Sequence, residues 1–179
     1  MYSLIHFCST RATMITNILP HSGADYFLKF TDPFDTSVTG SKGEIIGTIR
    51  SVECLMTFHS PDDWQRKGVG ILDTKATVCP SDGSPDLHFT YAGMCDVQTD
   101  LAPDQYDKFM RLLKGENLAE GDELGPLRVR EAVLRMSVGD SGNMGCDYLI
   151  IGTSSLVGNN SRNPLLKVRN DTFEIHYTT

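Results

Sequence analysis

The chain lacks the signatures of the common nucleotide-dependent and hydrolytic enzyme classes. It contains no P-loop, no dinucleotide-binding fingerprint, no His-Glu-x-x-His, no Gly-x-Ser-x-Gly and no EF-hand pattern. Nucleotide hydrolysis, hydride transfer, zinc proteolysis and serine-based hydrolysis therefore have no support in the sequence. The chemistry that remains needs only an acid, a base and a dry pocket, so we expect no cofactor.

Cysteines are too few and too scattered for a disulfide framework or a zinc site. Their number is odd, no two form a Cys-x-x-Cys pair, and they stand at Cys8, Cys54, Cys79, Cys95 and Cys146. No combination of Cys and His has the spacing of metal ligands. We therefore expect no bound metal, and small buried thiols in a reducing, cytoplasmic compartment.

An excess of positive charge is also missing. The 179 residues include 16 basic and 23 acidic side chains, which gives a formal net charge of −7. Nucleic-acid backbones and anionic membrane surfaces bind basic patches, so this balance argues against both kinds of partner. Neutral or weakly acidic organic ligands stay open.

No long apolar run begins the chain. Residues 1–24 contain no acid and only one base, Arg11, and Ser, Thr and His interrupt their apolar residues. This pattern fits neither a signal peptide nor a membrane span, and a single arginine makes a poor organelle-targeting segment. We interpret residues 1–24 as an N-terminal arm that is loose or packs on a neighbouring subunit, which leaves a homo-oligomer open.

Residues 25–179 contain a series of strand-like runs and one helix. The runs number about eight to ten and are separated by clusters of Gly, Pro and Asn. A helix is predicted over residues 103–114, where apolar residues recur at helical spacing: Tyr106, Phe109, Met110 and Leu113. This inventory predicts an all-β, single-domain antiparallel barrel, with a two-sheet sandwich as the competing architecture.

The middle of the chain is typical of a β-hairpin. Strand-like runs at 72–78 and 87–93 flank a turn that contains Asp82-Gly83. Side chains alternate between the two faces of a strand, so Asp73 and Lys75 share one face of the first strand. On the second strand, Phe89 and Tyr91 share one face and His88 lies on the other. An acid, a base, a histidine and a tyrosine thus belong to one supersecondary unit.

The hairpin and the C-terminal third of the chain resemble a known family. The order of motifs is similar to that of the domain of unknown function 3237 family: Asp63-Trp64, Leu72-Asp73-x-Lys75, Asp82-Gly83 and Tyr91-x-Gly93, then Arg135-x-x-x-Gly139, Tyr148 and Ile151-Gly152. The resemblance covers residues 26 to 178. The chain departs from the family in having Lys75 where arginine is usual and in an insertion at 141–145.

The resemblance implies a calycin-like antiparallel barrel with one short helix. Members that look like this family occur in fungal natural-product pathways, so it also implies an isomerase or cyclase for an aromatic polyketide or terpenoid intermediate. One form of that reaction is intramolecular addition of a hydroxyl group across an alkene or enone. Fold alone does not dictate chemistry, because one fold can carry unrelated activities.

Candidate site residues fall into two groups. Groups that can accept, donate or orient a proton are candidate catalytic residues: Asp73, His88, Tyr91, Arg130 and Glu131. Flat rings and neighbouring charges are candidate substrate-binding residues: Asp63, Trp64, Lys75, Phe89 and Arg135. Asp73 ranks first, because an acid recurs at its place in the motif, and we expect it in the barrel lumen. The ordinary alternative is that these charges lie on the outer face of half-exposed strands.

An enzyme and a carrier both fit this pattern. The enzyme would be a cofactor-free isomerase or cyclase, and the carrier would hold a small hydrophobic or aromatic ligand unchanged. The two differ in what the lumen requires, because catalysis needs an acid or base with a perturbed pKa inside the cavity. A plain structural domain is the third alternative. The polar groups of the hairpin favour the enzyme.

Overall fold

The computed structural model describes residues 2–23, 25–59, 68–139, 148–159 and 163–177, without the side chains of residues 2, 21, 22, 134 and 135. These residues form eight strands and two helices: β1 Tyr2–Ser22, β2 Asp25–Gly40, β3 Ile45–His59, β4 Val69–Pro80, β5 Leu87–Asp96, α1 Val97–Asp100, α2 Pro103–Leu113, β6 Glu123–Val138, β7 Tyr148–Val157 and β8 Leu165–Tyr177. Each strand pairs antiparallel with the next, and β8 pairs with β1. The predicted all-β, calycin-like barrel is therefore confirmed, in preference to the sandwich.

The first strand corrects the prediction of an N-terminal arm. Residues 2–22 form β1, which pairs with β2 on one side and with β8 on the other and so closes the barrel. Its side chains alternate, and Cys8, Ala12 and Met14 are buried inside. The sequence alternates only weakly, since Thr10 and Thr16 face inward while Ile5 and Leu19 are exposed, so pairing with both neighbours rather than local pattern makes this segment a strand. Closure by β1 also removes the exposed edges that an open sheet would carry.

The predicted central hairpin is confirmed as β4 and β5. The pairing runs without a break from Val69 opposite Asp96 to Val78 opposite Leu87. In the turn, the Asp82 carboxylate accepts a hydrogen bond from the Ser84 N–H at 2.9 Å, and Gly83 adopts a φ of +79° that favours glycine. The Asp-Gly pair thus reverses the chain by the local chemistry expected of it.

Helix α2 closes one end of the barrel. It spans Pro103–Leu113, within one residue of the predicted bounds. Phe109, Leu112 and Leu113 are buried, and the Phe109 ring meets the Phe58 ring edge-on at 5.1 Å between centroids. Burying such a ring contributes about 2–3 kcal/mol. The helix therefore packs onto the end where β5 finishes and β6 begins. The short helix α1, which precedes it, was not predicted.

The opposite end of the barrel carries the β2–β3 and β4–β5 connections, residues 41–44 and 81–86. Within the described part of the chain, no helix lies across this end. The two ends of the barrel therefore differ. Helix α2 covers one end of the lumen, and the connections at 41–44 and 81–86 form the rim at the other end.

Candidate active site in the barrel lumen

The lumen contains two chambers. The inner chamber lies against α2 and has a volume of about 80 Å³, with Phe109 in its lining. The outer chamber lies towards the rim and has a volume of about 360 Å³, with Pro80 and Pro85 in its lining. Residues common to both linings mark the junction between the chambers: Thr10, Ile49, Tyr91 and Asn170. A molecule that extends from the outer chamber into the inner chamber therefore contacts these four side chains.

Glu131 brings a carboxyl group into the inner chamber. It follows Leu127 and Val129 on the inward face of β6, and all three are buried. On the neighbouring strand it pairs with Gly93, where an added Cβ would overlap the Glu131 side chain. The glycine therefore leaves the space that the carboxyl group occupies.

Burial changes the acidity of Glu131. The residue is 4% exposed, and the Thr74 hydroxyl donates a hydrogen bond to Glu131 Oε1 at 3.5 Å. Desolvation raises the pKa of Glu131 from its ordinary 4.5 to about 7, against a smaller lowering by the Thr74 hydrogen bond. Both the acid and the carboxylate are consequently populated at neutral pH, which is the condition for a general acid or base.

Tyr91 stands at the junction as a neutral phenol. Its ring is half-buried because it borders the chambers, and burial together with the charge of Glu131 raises the pKa of Tyr91 well above its ordinary 10. Burial likewise raises the pKa of Cys54 and of Cys95 to about 12. The phenol can therefore donate a hydrogen bond, while these two thiols stay protonated and are poor nucleophiles.

Asn170 is the second polar residue of the junction. It lies on β8 opposite Gly152 of β7, where a Cβ would overlap the Asn170 Oδ1 atom. That oxygen is buried and has no hydrogen-bond partner among the described residues. As with Gly93 and Glu131, a glycine on the adjacent strand makes room for a polar side chain next to the lumen.

The structure places three of the predicted site residues outside the lumen. Asp73 and Lys75 are exposed on the outer face of β4, and His88 is exposed on the outer face of β5, where its Nδ1 lies 3.1 Å from the Thr77 hydroxyl. The lumen side of β4 is the face with Leu72 and Thr74, because that face is the more apolar. Asp73 is therefore not the lumen acid.

The remaining predicted residues divide between the two faces. Glu131, Tyr91 and Phe89 line the chambers, whereas Arg130 is exposed and borders a groove on the outer wall. Asp63 and Trp64 lie outside the described residues. So does the side chain of Arg135, whose backbone pairs with Thr90.

Sequence reasoning missed several polar residues of the lumen, among them Thr10, Thr74 and Asn170. For Thr74 a signal was present, since it shares a face with Leu72 and Ala76 and the apolar face of a strand usually turns inward. Thr10 lies in the segment interpreted as an arm, and Asn170 has no distinguishing local pattern. Both could be found only once β1 and β8 were known to pair.

Comparison with known proteins adds no assignment. No family model, no curated protein and no solved structure matches this chain. The resemblance to the domain of unknown function 3237 family therefore stays a prediction. Among the described residues, no group of three or more His, Cys, Asp and Glu side chains is placed to hold a metal ion. Neither described helix has the length and apolar character needed to cross a membrane.

Proposed function

We propose that the protein is a cofactor-independent isomerase or cyclase in which Glu131 moves a proton within the barrel lumen. The observation that carries the proposal is the buried carboxyl group of Glu131, with a pKa of about 7, in a chamber otherwise lined mainly by apolar side chains. A group with this pKa can remove a proton and return it at neutral pH. Exclusion of water by α2 protects the reactive intermediate.

Ring closure by addition of a hydroxyl group to an enone is the reaction that suits this site best. The Glu131 carboxylate accepts the hydroxyl proton as the oxygen forms a bond to the β-carbon of the enone. The π electrons move to the carbonyl oxygen and give an enolate. The Glu131 acid then delivers the proton to the α-carbon, so that the product is an isomer of the substrate and the enzyme returns to its starting state.

The lining of the chambers restricts the substrate. No Lys, Arg or His is among the described residues that line either chamber, and Asp82 at the rim is the one charged side chain of the outer lining. An anionic substrate would find no counter-charge and would meet the Glu131 carboxylate. The substrate is therefore a neutral molecule with an apolar body, such as an aromatic polyketide or terpenoid intermediate with one hydroxyl group and one enone.

The junction residues orient this molecule. Tyr91, as a neutral phenol, donates a hydrogen bond to the carbonyl oxygen on which negative charge develops. Asn170 supports the same end of the substrate with its amide, since it borders both chambers. The body of the substrate occupies the outer chamber, and the reacting atoms lie in the inner chamber beside Glu131.

Substitution of Glu131 by glutamine tests the proposal. The change keeps the size of the side chain and removes its proton chemistry, so turnover of a neutral hydroxy-enone should fall by about a hundredfold or more. Conversion is followed by chiral chromatography, and the wild-type kcat/KM should change with pH around the pKa of about 7. In D2O, the wild-type product should carry deuterium at the α-carbon.

Glu53→Gln is the matched control, because Glu53 lies on the outer face of β3 and pairs with Lys29 at 2.6 Å. It should retain wild-type activity. Tyr91→Phe should lower kcat with little change in the pH profile, since the phenol stabilises charge and does not titrate in this range. A Glu131→Gln variant as active as the wild type would contradict the role of Glu131.

The carrier is favoured by one observation, the predominance of apolar side chains in both chambers. In that case the wild type and Glu131→Gln bind the same neutral ligand with equal affinity, and the ligand is recovered unchanged and without deuterium from D2O. The same two proteins therefore distinguish the carrier from the enzyme.

A further inference from the structure

The outer wall of the barrel carries a cluster of arginines that the lumen chemistry does not use. The strand register places three of them in one row with a threonine, across β6, β7, β8 and β1: Arg128, Thr153, Arg169 and Arg11. The next row holds Arg130, Ile151, Asp171 and Ser9. These two rows line a groove with a volume of about 750 Å³.

The arginines of the groove are not neutralised equally. Arg128 is bound to Asp100, with Nη2 at 2.6 Å and Nε at 2.7 Å from Oδ1. Arg11, Arg130 and Arg169 form no ion pair with any other described residue. All three are exposed, so three guanidinium groups share one groove of a chain whose net charge is −7.

One acidic side chain among the described residues lines the groove: Asp171, which is 56% exposed and lies two residues from Arg169 on β8. The Asp171 carboxylate accepts from the Ser9 hydroxyl at 2.5 Å and lies 3.6 Å from the His6 Nε2 atom. Asp35 and Glu123 belong to an adjoining depression beyond Arg11 and Arg169. The positive charge of the groove is therefore concentrated at the pair of Arg11 and Arg169, whereas Arg130 lies in the same row as Asp171.

Two like charges directly opposite each other are an unusual arrangement. Arg11 and Arg169 are cross-strand partners, so their Cβ atoms are about 5 Å apart, and such a pair destabilises the sheet when no anion lies between. Arg130 stands two strands from Arg169, about 10 Å away across the sheet. This spacing fits an anion whose oxygens bind Arg11 and Arg169 and whose second charged group binds Arg130.

We propose that the groove binds a small phosphorylated molecule that carries two or more negative charges. A phosphate offers three acceptor oxygens and a charge near −2, which matches two guanidinium forks, whereas a carboxylate offers two oxygens and one charge. The hydroxyl groups of Ser37 and Thr153 line the same groove and can donate to the remaining oxygens. The proposal is independent of the reaction in the lumen.

Pyrophosphate and inorganic phosphate are the probes for this site. Calorimetric titration and thermal unfolding are carried out at constant ionic strength on the wild type, Arg11→Gln, Arg169→Gln and the control Arg111→Gln. Arg111 lies on α2, exposed and 3.7 Å from Glu116, away from the groove. Pyrophosphate should bind more tightly than phosphate and raise the unfolding temperature of the wild type and the control.

Each groove variant should weaken pyrophosphate binding by about tenfold or more, since it removes charge-assisted hydrogen bonds. Without the anion at low salt, Arg169→Gln should unfold at the same temperature as the wild type or higher, because it relieves the repulsion from Arg11. A structural role for Arg169 would lower that temperature. This second measurement therefore separates binding from folding.

Several outcomes would overturn the proposal. One is stabilisation by pyrophosphate no greater than by chloride at the same ionic strength, and another is equal loss of binding in Arg111→Gln. Citrate binding as tightly as pyrophosphate would show that phosphate is not recognised. Arginine-dependent binding to phosphatidic acid vesicles, without binding of the soluble anions, would assign the groove to a lipid surface. Self-association lost in the same variants would assign it to a second copy of the chain.

Discussion

Arg130 and Glu131 are adjacent on β6, yet they lie in two different environments. Arg130 is exposed on the outer wall among other arginines, whereas Glu131 is 4% exposed in the inner chamber. Water surrounds the outer charge, while the carboxyl group inside has lost most of its hydration and its pKa rises to about 7. The comparison shows that one step along a strand separates an ordinary surface charge from a group suited to proton transfer.

The same contrast holds on β4. Asp73 is exposed on the outer wall, and its neighbour Thr74 is buried and donates to Glu131. Asp73, which belongs to the motif, therefore lies outside the lumen, whereas Thr74, which belongs to no recognisable motif, is part of the candidate site. The face of the wall, rather than the type of residue, decides which side chains take part.

The largest effect should come from Phe109→Ala, which removes a ring from the closed end of the lumen. Phe109 is 0% exposed and packs on Phe58, so the free energy of unfolding should fall by about 3–5 kcal/mol. Phe34→Ala is the matched control, since Phe34 is 46% exposed on the outer wall. Urea unfolding of both variants measures the difference. Equal losses would break the contrast between the two faces.

The pH dependence of stability should reveal Glu131. Its pKa is higher in the folded chain, about 7, than the ordinary 4.5, so the folded state binds more protons between these values. The free energy of unfolding should therefore fall as pH rises through this window, by about 3 kcal/mol, and level off above it. Glu131→Gln should lack that slope, as the difference between the two proteins in urea unfolding from pH 4 to 8 would show. A difference that stays constant with pH would place the carboxyl group in water.

A smaller effect is expected from Gly93→Ala. The added Cβ would overlap the Glu131 side chain and the Arg130 carbonyl oxygen, so the free energy of unfolding should fall by about 1–3 kcal/mol. The pKa of Glu131 should shift as well, because the carboxyl group is displaced, and a pH titration of stability would detect it. Met94→Ala, at an exposed position on the same strand, is the control and should change stability by no more than about 0.5 kcal/mol.

The smallest effect is expected from Asp73→Asn. An exposed aspartate on the outer wall should change stability by no more than about 0.5 kcal/mol and leave turnover unaltered. Steady-state kinetics beside Glu131→Gln provide the test. If Asp73→Asn lost turnover by about a hundredfold while Glu131→Gln remained active, the assignment of the two faces would be reversed.

Much of the fold could be predicted because it depends on local patterns. The period of two in β4 and β5, the turn at Asp82-Gly83 and the helical spacing of α2 are each encoded within about ten neighbouring residues. β1 was missed because its alternation is weak and its long run of small polar residues resembles a terminal segment. It became a strand through pairing with β2 and β8, the second of which lies at the other end of the chain.

The candidate site was predicted only in part for a related reason. Alternation identified Tyr91 and Phe89 as sharing a face, and both line the lumen. On β4 the apolar residues Leu72 and Ala76 indicate the inward face, but the motif position of Asp73 favours the opposite face and leads to the wrong side. Glu131 was one of several charged candidates until burial set it apart.

The sequence by itself determined the strands, the one substantial helix, the tight turn and the sets of side chains that share a face, because these follow from backbone geometry over a few residues. Only the closed barrel decided which of the charged side chains lies inside. It brought Glu131 beside Thr74 and opposite Gly93, and it aligned Arg11 with Arg169 from opposite ends of the chain. The pKa of an acid and the clustering of like charges depend on distances and on lost hydration, which exist only when strands distant in sequence are paired.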